Sequence, residues 1–488
     1  MNQRKVALWF CMGLALLLLA GCGGSSSPDP VTPWTPAPLS ADNVNLIFVA
    51  SEDLAHHASG DINRTTANLT SQGLQRSLRM ATFLEQEVLG KQNVTQIYAL
   101  EPMTHLQTAN DYPDMVGLEA IQQFAMLNQI TLSYPNVGPP YAGQSYPLNA
   151  SYSPESLPSG VVPPSAFCAN CQGLDFNDTS GDNDALLSAI VKQNVAGFYV
   201  FSAPWETVSA LMANLNRSEG YRLTLPANYL SPNYIYAISV TPSGSASLVT
   251  YLSNVTPPST YPVLSPPPAS APCQTYFSIP VTGGQGGAVI PAGINTNETV
   301  YIIRHADAHP KDYWNDNNYV GAGQWRALDL PHALQGKINP QEVYSIDPAQ
   351  FGPGSFNSAG DHTWSSVAPA LTAEPYAIAN NLPYKLVTSF ELSDPAANAT
   401  ETSDFFFTGG KFSNKTVLVA WAYQFIQPAV NALLASYHGN NQPAPAWSPT
   451  DYDSVWTIKL DAVGNVTVDN GTCEGINSNA LPATPPRF

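Results

Sequence analysis

Short apolar runs and longer amphipathic stretches alternate along the chain, and they do so twice in the same order. Asn45 to Val49 and Thr299 to Ile303 read as buried strands, too short for helices. Each leads to a stretch with helical spacing. Leu69 to Leu84 (LTSQGLQRSLRMATFL) lies over Tyr319 to Leu334 (YVGAGQWRALDLPHAL) without a gap, setting Gly73 on Gly323, Arg76 on Arg326 and Leu78 on Leu328. Short strands follow at Gln96 to Ala99 and Glu342 to Ser345, with Pro102 and Pro348 just beyond. Later, Gly197 to Ser202 and Thr416 to Trp421 form apolar strands ahead of helices carrying Val208-Ser-Ala-Leu211 and Val430-Asn-Ala-Leu433. Each half closes on a predicted hairpin, Tyr236 to Thr250 and Trp456 to Val468, turning near Gly244 and Gly464.

Strands that alternate with helices predict an α/β fold, each half a mostly parallel sheet flanked by helices. Matching features in one order argue for an internal duplication. Between the halves, residues 256–272 are rich in proline and nearly free of charge, so they predict an extended connector. The expected organisation is a signal segment at 1–21, a Ser/Pro/Thr-rich tether at 22–40, a first unit at 41–255, a linker at 256–275 and a second unit at 276–488.

The amino terminus adds a compartment. Arg4 and Lys5 precede a short apolar run from Val6 to Leu19, and Leu-Ala-Gly-Cys22 closes it. That order is a secretory signal. A Cys after a small-residue cleavage site resembles the lipobox of bacterial lipoproteins, which implies a diacylated Cys22 and a protein tethered to the cell envelope on its periplasmic or surface face. The charge of −18 excludes nucleic acid as a partner, because phosphate-backbone binding needs many Lys and Arg. Cys168, Cys171, Cys273 and Cys473 fit disulfides in an oxidising compartment. Cys168 with Cys171 and Cys273 with Cys473 is one of three pairings. No second Cys pair completes a zinc site, and the adjacent His56 and His57 offer no ligand cluster, so neither metal nor cofactor is expected.

Tyr301-Ile-Ile-Arg304-His305-Ala306-Asp307 concentrates the chemistry. An apolar strand that stops at Arg-His places both side chains at its carboxyl end, where open α/β sheets bind ligands. Arg offers planar donors to phosphate oxygens, and a neutral His can attack as a nucleophile. With Gly323-Gln-Trp-Arg326-Ala-Leu328, Val343-Tyr344-Ser345 and the later strand Val417 to Trp421, this stretch resembles the histidine phosphatase (phosphoglycerate-mutase-like) superfamily. The resemblance implies two three-layer domains in tandem. It also implies a phosphohistidine formed on His305, with Arg304 gripping the phosphoryl oxygens of a phosphorylated small molecule and no metal required. Asp307 is read as orienting the loop. Glu391 is offered as the general acid, against the plainer reading of a surface carboxylate.

The family pattern is incomplete. No Arg follows the Val-Tyr-Ser strand, where Ile346-Asp347-Pro348 stands, and Tyr423 takes the approximate place of the second family His. His309 and His332 are weighed as substitutes. In the first half, Ala50 and Ser51 replace Arg-His, and Ala203-Pro204 ends the later strand. Two functions follow from the sequence. One is a metal-independent phosphomonoesterase acting through His305; the other is a catalytically impaired relative that binds a ligand or protein.

Overall fold

Burial on both faces explains the unbroken apolar strands. The computed structural model describes residues 36–56, 60–128, 148–150, 174–178, 181–308, 316–350, 365–387 and 395–488. Cys22, Cys168, Cys171, His57, His309 and Glu391 lie outside the described residues. Strand β1 (Val44–Ala50) is buried along its whole length. Ile47 and Val49 face one hydrophobic cluster, Leu46 and Phe48 another, as the two-residue period of a strand requires. The first cluster takes in helix α1 (Ser71–Phe83), which continues into a π-helical turn at Leu84–Val88. Strand β2 (Gln96–Ala99), a small ribbon of β3 (Leu106–Gln107) and β4 (Tyr112–Pro113), and helix α2 (Val116–Leu127) come next. The second cluster is covered by α3 (Asp182–Gln193) and α4 (Trp205–Ser218), which flank β5 (Gly197–Ala203). A hairpin of β6 (Tyr234–Val240) and β7 (Ala246–Leu252) completes a sheet ordered β2-β5-β1-β6-β7, in which β2, β5 and β1 run parallel.

The second sheet repeats this plan with additions. After β8 (Ser278–Val281) come β9 (Glu298–Arg304), α5 (Gly321–Ala333), β10 (Glu342–Ile346), α6 (Ala368–Asn380), β11 (Tyr384–Val387) and α7 (Pro395–Phe407). Then follow β12 (Thr416–Trp421), α8 (Tyr423–Ser436) and the hairpin β13 (Ser454–Leu460) with β14 (Val466–Cys473). The order is β11-β10-β12-β9-β13-β14-β8, with the first four strands parallel and the last three antiparallel. Gly244 and Gly464 turn their hairpins at positive φ, +84° and +85°, a region that costs glycine little.

Equivalent bonds recur in both sheets. Ser51 N–H donates to the Ala203 carbonyl at 2.9 Å, and His305 N–H to that of Trp421 at 2.8 Å. Thr70 N–H reaches the Asp61 carbonyl at 3.0 Å, and Val320 N–H that of Asp307 at 2.9 Å. A Cβ on Gly73 or Gly323 would meet those same carbonyl oxygens at 2.1 and 2.6 Å, which is why glycine stands third in both helices. Arg76 Nε donates to Asp61 at 2.8 Å and its Nη1 to Asn233 and the Val255 carbonyl. Arg326 Nε donates to Asp307 at 2.5 Å, and its fork reaches Glu474, Ser478 and the Ile476 carbonyl.

The halves share their interior. One cluster of buried apolar side chains includes Ile47, Val49, Leu118 and Phe124 from the first half with Ile303, Leu330, Leu371 and Leu418 from the second. Residues 36–488 accordingly form one compact unit. The proline-rich segment is docked along its length: Gln75 donates to the Thr260 carbonyl, Tyr261 to that of Leu328, and Leu264 is buried. At its end a disulfide joins Cys273 to Cys473. No helix among the described residues is long and apolar enough to cross a membrane.

Candidate functional site

β9 carries Arg304 to the carboxyl edge of the second sheet, opposite Trp421 of β12. The guanidinium does not project into open space; only 2% of the residue is exposed. Its Nη1 donates to the carbonyls of Pro449 (2.8 Å) and Asp451 (3.3 Å). The Tyr452 ring lies 3.7 Å from the guanidinium carbon and the Tyr423 ring 4.5 Å, both within cation–π range. Tyr423, the first residue of α8, thus lies at the site as a wall against Arg304. A groove of about 640 Å³ opens along the same segment, lined by Tyr276, Phe277, Trp447, Tyr452 and Trp456.

His305 is oriented as a nucleophile must be. Its Nδ1 lies 2.9 Å from the Ala306 carbonyl, an acceptor only, so Nδ1 carries the proton. Nε2 keeps its lone pair and faces Arg304 Nη2 at 3.5 Å. Burial and the adjacent Arg304 charge lower its pKa to about 3, against the pull of the Ala306 hydrogen bond. The imidazole is therefore neutral near pH 7. Phosphoryl transfer also needs cationic donors on the equatorial oxygens. Arg304 gives Nη1 to backbone carbonyls, and two tyrosine rings lie close to its guanidinium. Where a second Arg was sought beyond β10 stands Asp347, fully buried, its carboxyl pushed up to about 7 by burial.

Asp307 holds the loop instead of facing a substrate. It is fully buried and its Oδ2 accepts from Arg326 Nε, so it docks the start of α5 beneath the strand end. His332, in the last turn of α5, has a largely exposed side chain 3.4 Å from Asp329, and it adds nothing to the site.

The carboxyl edge of the first sheet holds different chemistry. Ser51 occupies the place of His305, and Asp53 follows it. His105, after β2, lies flat on Phe176 with ring centroids 3.7 Å apart and 3° between planes. Its Nδ1 is 2.8 Å from Asp114 Oδ2 and 3.5 Å from Asp53 Oδ2. Burial alone would lower the His105 pKa; Asp114, Asp53 and Glu206 outweigh it and raise the net value. His56 Nε2 pairs with Glu206 at 2.9 Å. Sequence spacing gave no sign of this meeting: the two-residue strands of the β3–β4 ribbon bring His105 beside Asp114, and Asp53 joins them from the segment after β1.

No family model matches the chain, and no curated protein matches it. Solved structures do. The protein histidine phosphatase SixA complexed with tungstate aligns at 16% identity over 35% of this chain and 93% of its own, TM-score 0.22. A phosphoglycerate mutase from Plasmodium falciparum aligns at 14% over 38% and 96%, TM-score 0.23. A phosphoserine phosphatase from Entamoeba histolytica, in complex with phosphoserine, aligns at 12% over 37% and 97%, TM-score 0.21. Each of these alignments spans little more than a third of this mixed α/β chain.

Proposed function

We propose that this chain is an exported lipoprotein of the histidine phosphatase superfamily whose second-half site binds a ligand without efficient phosphoryl transfer. The observation that carries the reading is the engagement of Arg304. Its Nη1 serves two backbone carbonyls, and the rings of Tyr423 and Tyr452 lie within cation–π range of its guanidinium. Removing one preorganised donor from a charge-stabilising site typically costs about a hundredfold or more in rate. Here the Nη1 donors of Arg304 already serve carbonyls, so a phosphate gains them only by displacing those bonds. The paired Asp61–Arg76 and Asp307–Arg326 anchors support an origin by duplication, as two tandem three-layer units joined through residues 256–275.

A second reading rests on His305. A ring held by Ala306 with its Nε2 unprotonated favours residual phosphomonoesterase activity. The full-length chain, assayed on an aryl phosphate beside His305→Ala, separates the two. The binding reading expects turnover near background in both proteins and no acid-labile phosphohistidine. Turnover lost in His305→Ala, with phosphate trapped on His305, would establish the enzyme instead.

A further inference from the structure

We infer that Asp53, His105 and Asp114 form a binding site for a divalent transition metal of the zinc class, at the carboxyl edge of the first sheet. One oxygen from each carboxylate and one ring nitrogen lie within 4.8 Å of one another. The two carboxylates are 2% and 0% exposed, and they converge on a single nitrogen.

A proton alone satisfies this arrangement poorly. His105 Nδ1 bears at most one hydrogen, and Asp114 Oδ2 takes it at 2.8 Å. Asp53 Oδ1 accepts from the Ala55 N–H, but its Oδ2 receives no hydrogen bond although it is buried and aimed at that same nitrogen. A buried carboxylate oxygen without a donor is costly. A cation between the three groups removes the defect.

The distances fit. Zinc bonds of about 2.1 Å in tetrahedral geometry place ligand atoms roughly 3.4 Å apart. Asp53 Oδ2 already stands 3.5 Å from His105 Nδ1, and Asp114 Oδ2, at 2.8 Å, needs only a small rotation. Phe176, parallel to the imidazole, fixes the ring plane as a ligand requires. The nitrogen donor selects a borderline metal over Mg²⁺ or Ca²⁺, which take oxygen ligands in larger number. Three protein ligands leave a fourth position for water or an anionic group, and the His105 side chain, 17% exposed, connects the cluster to solvent.

The test uses the full-length chain without an affinity tag, titrated with ZnCl₂ by calorimetry and with Co²⁺ by visible absorption. One Zn²⁺ per chain is expected, together with a tetrahedral Co²⁺ spectrum. Asp53→Asn and His105→Gln should each weaken Zn²⁺ binding at least tenfold, whereas His438→Gln should leave it unchanged. Asp53→Asn is nearly isosteric, so an unaltered melting temperature without metal separates lost ligation from misfolding. Zinc binding that survives His105→Gln, or Mg²⁺ or Ca²⁺ binding as tight as Zn²⁺, overturns the assignment. So does the absence of stoichiometric metal.

Discussion

Gln122 on α2 and Asn318, just ahead of α5, exchange two hydrogen bonds across the join between the halves. Gln122 Nε2 donates to Asn318 Oδ1 at 2.8 Å, and Asn318 Nδ2 returns a bond to Gln122 Oε1 at 3.0 Å. Both residues are 1% exposed, so the pair is shielded from water. Gln122→Ala removes both of these bonds from the buried Asn318 side chain. The expected loss is about 1–3 kcal/mol, read by urea denaturation. An unchanged midpoint would mean that the join opens to water.

Arg304 is a structural residue as placed here. Arg304→Ala removes two carbonyl hydrogen bonds and two aromatic contacts, and should cost about 3 kcal/mol or more of stability. A residue reserved for substrate would show little change in melting temperature when replaced. That outcome would contradict the proposed function.

His305 makes stability depend on acidity. Its folded pKa is about 3, and an unfolded His titrates near 6.5. Between those values the unfolded chain binds the extra proton, so stability falls as pH drops from about 6.5 toward 3, by up to ~1.4 kcal/mol per pH unit from this residue. His305→Gln lacks that penalty. Denaturation at pH 7 and pH 4.5 should show the variant gaining on the native protein at the lower pH; a gap independent of pH would place a charged imidazole in the fold.

Glu374 acts in the opposite direction. Burial, then the facing Glu119 and Asp114, push its carboxyl well above the usual range, and neither of its oxygens receives a hydrogen bond. As pH rises past the ordinary carboxylate range the unfolded chain releases this proton while the folded one retains it, so stability declines. Glu374→Gln should therefore be more stable than the native protein at pH 9, with the difference shrinking toward pH 4. Equal stability at both values would refute a proton held there.

Much of this architecture was legible in the sequence for physical reasons. Strands buried on both faces, such as Val44–Ala50 and Glu298–Arg304, must be apolar over short lengths, and Gly73 and Gly323 announce close carbonyls. Other elements carried no such mark. Helix α6 carries Pro375 in its interior, where proline removes a backbone donor, yet the helix is almost wholly buried. The placement of Arg304 and His305 at a strand end was readable from the apolar run that stops there. The capture of Arg304 was not, because backbone carbonyls of Pro449 and Asp451 do it, and any residue supplies a carbonyl. Asp53, His105 and Asp114 stayed hidden for a related reason: the ribbon that pairs His105 with Asp114 has strands of only two residues, too short to show a period, and Asp53 arrives from a loop.

The bridge from Cys273 to Cys473 spans 200 residues of sequence and encloses both members of the Arg304–His305 pair, along with every helix of the second half. A protease that nicks any loop between these cysteines leaves two fragments in one covalent molecule. Such a cut would escape notice on a non-reducing gel and become visible only after thiol treatment, so a nicked population travels with the intact one through purification and keeps the sheet edges assembled.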